Sequence, residues 1–104
     1  MVSDAQDRVA GFVATHDLDA PPAYRLLDAA SELGELAKDL NESTNYGGTP
    51  ERAAVAEDEL GDALFALLAF AETVDADAAA ALDTALAKYE RRLDERGSAG
   101  SPDR

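Results

Sequence analysis

"ELGDALFALLAFA" spans residues 59–71, and between Leu60 and Ala71 its only charge is Asp62. Val55, Ala63, Ala66 and Phe70 share the face of Glu59 and Asp62, while Leu60, Leu64, Leu67 and Leu68 occupy the others. A helix apolar all round is expected to be buried, and a charge on it to be paired or metal-bound. A near copy of the opening letters, "ELGE", stands at 32–35. In each motif two acids lie three residues apart, which makes them neighbours on a helix.

Working outward, the apolar spacing predicts four helices and no strand, an all-α class. The first runs from about Asp4 to His16, with Ser3 as N-cap and Val9, Phe12 and Val13 turned inward. "DLDAPPA" breaks the chain, and the second helix starts at Pro21 or Pro22 and continues to about Ser43. It carries Leu26, Leu27, Ala30, Leu33, Ala37 and Leu40 at steps of three and four or adjacent to them. "NESTNYGGTP" reads as a loop, with Thr49 capping a third helix that begins at Pro50 and reaches about Val74. The fourth starts near Asp75 or Asp77, presents Leu82, Leu86, Tyr89 and Leu93, and ends by Arg96. Residues 1–96 are expected to form one domain, and 97–104, "GSAGSPDR", a flexible tail.

A short loop between long helices makes the second and third antiparallel neighbours. "ELGE" then lies about 14 Å from that loop and "ELGD" about 16 Å from it, at 1.5 Å per helical residue. The two acidic pairs are expected at one height, with four carboxylates converging if both face the seam. Ionised carboxylates crowded in a partly dry pocket repel one another, and a divalent cation relieves this. Oxygen-only ligands favour Mg²⁺, Mn²⁺ or Ca²⁺; with one His and no Cys, zinc is excluded as an expectation. For the first motif there is a plainer alternative, since Asp28, Glu32, Glu35 and Asp39 also repeat as a solvated face would. Gly34 and Gly61 point about 130° away from the acid pairs and suit close approach of another helix, or have no such purpose.

The bulk composition narrows the partners. The 104 residues carry 22 acids against 9 bases, a net charge of −13. Such a surface is expected to bind neither nucleic acid nor anionic lipid, both of which require clustered Lys and Arg. Salt would screen its self-repulsion, so a salt-rich cytoplasm suits it. Without Cys there is no disulfide or thiolate chemistry. No signal peptide is expected, and "ALFALLAFA" is too short to span a bilayer. A cytoplasmic location is the expectation.

Glu32-x-x-Glu35, a spacer of residues 36–58, and Glu59-x-x-Asp62 resemble the pattern of the MazG-like, all-α nucleoside triphosphate pyrophosphohydrolases. The likeness extends through "ELGDALFALLAF" into "ALAKYERRL", about residues 24–93. It implies hydrolysis of a (deoxy)nucleoside triphosphate to monophosphate and pyrophosphate, with Mg²⁺ (or Mn²⁺) held by Glu32, Glu35, Glu59 and Asp62. It also implies a homodimer or homotetramer of helical hairpins, with sites near subunit contacts. Phosphoribosyl-ATP pyrophosphohydrolases resemble the same architecture, and a non-catalytic regulator that binds nucleotide or metal is a further alternative.

Water attacking an α-phosphorus builds charge that cations must meet. Lys38 lies one turn beyond the first motif, and Lys88, Arg91 and Arg92 flank the last helix's apolar stripe. These four are the candidate phosphate-binding residues. Lys38 can equally pair with Glu35 or Glu42, and the other three can serve a helix C-terminus. Ser31 and Leu86 stand where many members of the family have a further acid and an Asn. Phe12, Tyr24 and Tyr46 are candidates for holding a base, with core or loop packing as the alternative. A metal site at His16–Asp17 is discarded, because such sites use several His.

Overall fold

The computed structural model describes residues 4–100. Helices α1 (Asp4–Thr15), α2 (Pro22–Ser43), α3 (Glu57–Thr73) and α4 (Ala78–Arg96) are joined by turns, with a single 3₁₀ turn over Pro50–Arg52. The described residues contain no strand, so the class is all-α. Ser3, the expected cap of α1, lies outside them, as do residues 101–104 of the tail.

Proline fixes where α2 begins: Pro22 opens the helix, and Pro21 before it is extended at φ −67°, ψ 155°. Two turns supply the remaining stops. At its far end, buried Thr44 ties the loop, its hydroxyl accepting from Gly47 N at 3.1 Å and its carbonyl from Thr49 N at 2.8 Å. Gly47 at φ +90° takes a conformation that side chains disfavour. Asp77 caps α4 by accepting from Ala80 N at 3.2 Å, which decides between the two expected starts.

The start of α3 is a correction. Thr49 does not cap it, because the Thr49 hydroxyl donates to Thr44 O at 3.0 Å and stays with the preceding loop. Pro50 opens only the 3₁₀ turn, and α3 begins seven residues later, after the extended Ala56 at ψ 135°. Glu57, Asp58 and Glu59 fill its first turn, where negative charge meets the positive end of the helix dipole.

Packing centres on α3, which lies against α2 on one side and α1 on another. Ala66, Leu68, Ala69 and Ala71 form its buried strip. Phe12 of α1 meets Phe65 edge-on at 5.9 Å between ring centroids. Gln6 is 1% exposed and fastens α1 to the α3–α4 corner. Its amide nitrogen donates to Glu72 Oε1 at 2.8 Å and Ala76 O at 2.7 Å, and its oxygen accepts from Ala78 N at 2.7 Å. Buried Arg25 donates to Leu18 O, pinning the α1–α2 connection.

Two further expectations are corrected. Helix α3 is not buried all round, since Leu60, Leu64 and Leu67 stay half-exposed on a side that none of the described helices covers fully. No helix closes on Gly34 or Gly61 either: a Cβ at either position would meet nothing within 4 Å. Helix α4 makes only slight contact with the other helices, and its stripe of Leu82, Leu86, Tyr89 and Leu93 remains 40–58% exposed. The chain spreads accordingly. Its radius of gyration is 16.6 Å, against about 13 Å for a compact domain of this length.

Candidate metal centre

Glu32 and Glu35 sit in the middle of α2, and Glu59 and Asp62 in the first two turns of α3. The helices run antiparallel, and the acids act on one another across the seam. Glu32 titrates above the ordinary carboxylate range, chiefly through partial desolvation and then through the charge of Asp62, with Asp28 and Glu35 adding. Glu59 is raised as well, by desolvation first and then by Asp39, with Asp58, Glu35 and Asp62 adding. Among the described residues, the charges that raise these two carboxyls are those of Asp28, Glu35, Asp39, Asp58 and Asp62. The late start of α3 therefore leaves the two motifs facing each other.

The α2–α3 hairpin has two unlike sides. At 100° per residue, Leu60, Ala63, Leu64 and Leu67 centre about 120° from Glu59 and Asp62 around α3. The matching residues of α2, among them Leu26, Ala30, Leu33 and Leu36, lie about as far from Glu32 and Glu35. These apolar residues line one groove of about 420 Å³. The acids thus occupy one side of the hairpin and the leucines the other.

Asp62 is exposed, contrary to its expectation as a charge inside a buried helix, and Glu35 is exposed too; Glu32 and Glu59 are partly covered. Among the described residues no three acids, with or without His, are drawn tightly enough to hold an ion. The donor chemistry fits a hard divalent cation. All four candidates offer oxygen, and His16, the one imidazole, packs on Phe12 at 4.4 Å between centroids.

The candidate cations are not gathered here. Lys38 is exposed on α2, one turn beyond Glu35. Lys88 lies over the Tyr89 ring at 5.1 Å, Arg92 donates to Ala99 O at 3.2 Å, and Arg91 is exposed, all on α4. Of the aromatic candidates, Tyr24 and Tyr46 are largely exposed and pack in no core. Sequence reasoning left Asp39 to a solvated face, yet it is the foremost charge acting on Glu59. Its place in the acidic stripe four residues after Glu35 was the available signal.

Comparison with known proteins bears on the family alone. Residues 24–97 match the family model described as the MazG nucleotide pyrophosphohydrolase domain. The chain is similar to an uncharacterized protein, YpjD, of Bacillus subtilis (strain 168), with 33% identity over 75 residues. That alignment covers 68% of this chain and 66% of the relative, just under two thirds of its length. No solved structure matches the chain.

Proposed function

This chain belongs to the MazG nucleotide pyrophosphohydrolase family, and on that premise we propose that it hydrolyses (deoxy)nucleoside triphosphates to monophosphate and pyrophosphate. The observation that carries the proposal is the meeting of Glu32 and Glu35 on α2 with Glu59 and Asp62 on α3 across the seam, where neighbouring carboxylates raise Glu32 and Glu59. Such a cluster is suited to Mg²⁺, or to Mn²⁺ in its place, more than to any internal ion pair. Bound there, the cation supplies charge neutralisation for the phosphates and acidifies the attacking water.

The residues of the chain do the rest. The four carboxylates hold the cation, and one of them takes the proton of a water attacking the α-phosphorus. The new bond joins the water oxygen to the α-phosphorus, the bond to the bridging oxygen breaks, and pyrophosphate leaves. Lys38, on the turn after Glu35, is the candidate to meet the outer phosphates from within the chain. Removal of surplus or non-standard nucleotides in a salt-rich cytoplasm is the role we assign. No described helix is long and apolar enough to cross a membrane, which is compatible with that setting.

We also infer a homo-oligomer. The accessible surface is 7494 Å², whereas a compact monomer of 10.9 kDa exposes about 5,600 Å². The excess is of the size that a stable subunit interface removes. A second copy covering the leucine side of the hairpin would bury it, and sedimentation equilibrium would distinguish dimer from tetramer.

The experiment is a pyrophosphate-release screen in high potassium chloride over standard and modified (deoxy)nucleoside triphosphates, with and without Mg²⁺. Release that requires Mg²⁺ and disappears in Glu59→Ala is the expected result. Silence across the panel while Mg²⁺ still raises the melting temperature would move the reading to phosphoribosyl-ATP or to a non-catalytic regulator. Silence without any thermal shift would end it.

A further inference from the structure

A second cavity, apart from the acidic seam and the leucine groove, lies where α1, the α1–α2 connection and α3 meet. Its volume is about 200 Å³, room for about seven water-sized groups at about 30 Å³ each. Ala10, Ala14 and Ala69 give it an apolar wall, and Asp19, Arg25 and Glu72 bring its charges. Arg25 is 6% exposed, and its one hydrogen bond among the described residues runs from Nη2 to Leu18 O. It forms no ion pair with any described carboxylate. Among the described residues no buried side-chain nitrogen is both sealed from solvent and unbonded. The other two guanidinium nitrogens therefore open into the cavity that Arg25 lines.

A buried guanidinium without a counter-charge is costly, because its lost hydration is not made good. Arg25 also stands in the first turn of α2, where the helix dipole adds to the preference for an anion. On the same cavity, Glu72 gives Oε1 to the Gln6 amide at 2.8 Å, and Asp19 is exposed at the rim. Opposite charges thus share one small space without pairing. A plain anion on Arg25 would face two carboxylates, and a plain cation would face the guanidinium.

We propose that this cavity binds a small zwitterion, with its carboxylate on Arg25 and its ammonium group between Asp19 and Glu72. Amino acids and methylated ammonium carboxylates of six to eight non-hydrogen atoms share that chemistry and suit the volume. The occupant would tie α1 to both helices of the hairpin. The site uses none of Glu32, Glu35, Glu59 and Asp62, so the proposal goes beyond the hydrolase reading and does not depend on it.

The full chain, without nucleotide or Mg²⁺, is titrated at fixed ionic strength with glycine, L-alanine and glycine betaine. Acetate and methylammonium serve as the two halves. Chemical shifts of the Arg25 Nε–H and of the backbone amides of residues 69–73 report occupancy. At least one zwitterion should give saturable shifts and bind about tenfold or more tighter than either half. L-Alanine ahead of glycine betaine supports the proposal with an amino acid as ligand, and the reverse order supports it with a methylated one.

Arg25 also pins the α1–α2 connection, so the variants avoid it. Asp19→Asn, at an exposed position, should weaken the zwitterion about threefold or more and not weaken acetate. Ala14→Leu, also at an exposed position, fills the cavity and should abolish binding of both, with circular dichroism confirming the fold. Acetate binding as tightly as every zwitterion would overturn the proposal. So would indifference to Asp19→Asn, or no saturable shift with any probe. None of these results bears on pyrophosphate release, so either reading can fail alone.

Discussion

Asp62 on α3 acts across the seam on Glu32 of α2 and helps to hold that carboxyl above its ordinary titration range. Thirty residues separate the two in the chain, so the antiparallel hairpin brings them together. A fold that places like charges in this way carries a penalty in the metal-free state and gains from a cation.

The pH dependence follows in sign. Glu59 and Glu32 bind protons more tightly folded than unfolded, so folding is favoured at low pH and the metal-free protein loses stability as pH rises through their raised pKa values. Glu59→Gln removes one such charge and should raise the metal-free melting temperature at neutral pH. It should also shrink the further rise that Mg²⁺ gives the wild type. Differential scanning fluorimetry between pH 4.5 and 8, with and without Mg²⁺, reads both effects.

Asp62 is exposed and supports no buried packing. Asp62→Ala should therefore leave the helical circular dichroism spectrum intact and, by lifting a like charge from Glu32, should not lower the metal-free melting temperature. Turnover should fall about a hundredfold or more, beyond the usual cost of losing a residue that merely supports a ligand. Full activity in this variant would remove the residue from the site.

Gln6 holds three hydrogen bonds at the α1–α3–α4 corner. Gln6→Ala removes these bonds from the part-buried backbone groups at Ala76 and Ala78 and should cost about 1–2 kcal/mol in urea unfolding. Because Ala78 N starts α4, amide exchange should speed up over residues 76–80 more than over α2. Uniform acceleration along the chain would show that the corner does not hold α4.

A net charge of −13 on 104 residues makes self-repulsion a general destabiliser. Raising potassium chloride from a few millimolar to about 1 M shortens the screening length from tens of ångströms to about 3 Å. The melting temperature and helicity of the wild type should rise across that range. Full helicity in very dilute buffer would contradict the assignment to a salt-rich cytoplasm.

How much of this could be read beforehand depends on how local each signal is. Pro22 and Asp77 fix helix starts through their own covalent chemistry and capping, and both were legible. Thr49-Pro50 carried the same kind of signal and misled, because the Thr49 hydroxyl is engaged by Thr44 and the chain runs extended before Glu57. The two acidic motifs still act on each other across the seam, since that depends on antiparallel direction more than on where α3 begins. Yet no three of the described acids gather tightly, as the expected convergence required. Burial was the least legible property. The pattern of Leu60, Leu64 and Leu67 says that these residues favour a partner, and no periodicity says whether the chain itself supplies one. Nor could the role of Gln6 be foreseen, because a Gln on an amphipathic helix reads as surface.

The most direct measurement is Mn²⁺ binding followed by electron paramagnetic resonance. It would compare the wild type with Glu32→Gln, Glu35→Gln, Glu59→Gln and Asp62→Asn, using Asp83→Asn on α4 as the control. Affinity should fall about tenfold or more in each of the four and stay unchanged in the control, as expected for ligands of one site. Wild-type affinity in all four variants would mean that the carboxylates facing across the α2–α3 seam do not form a metal centre.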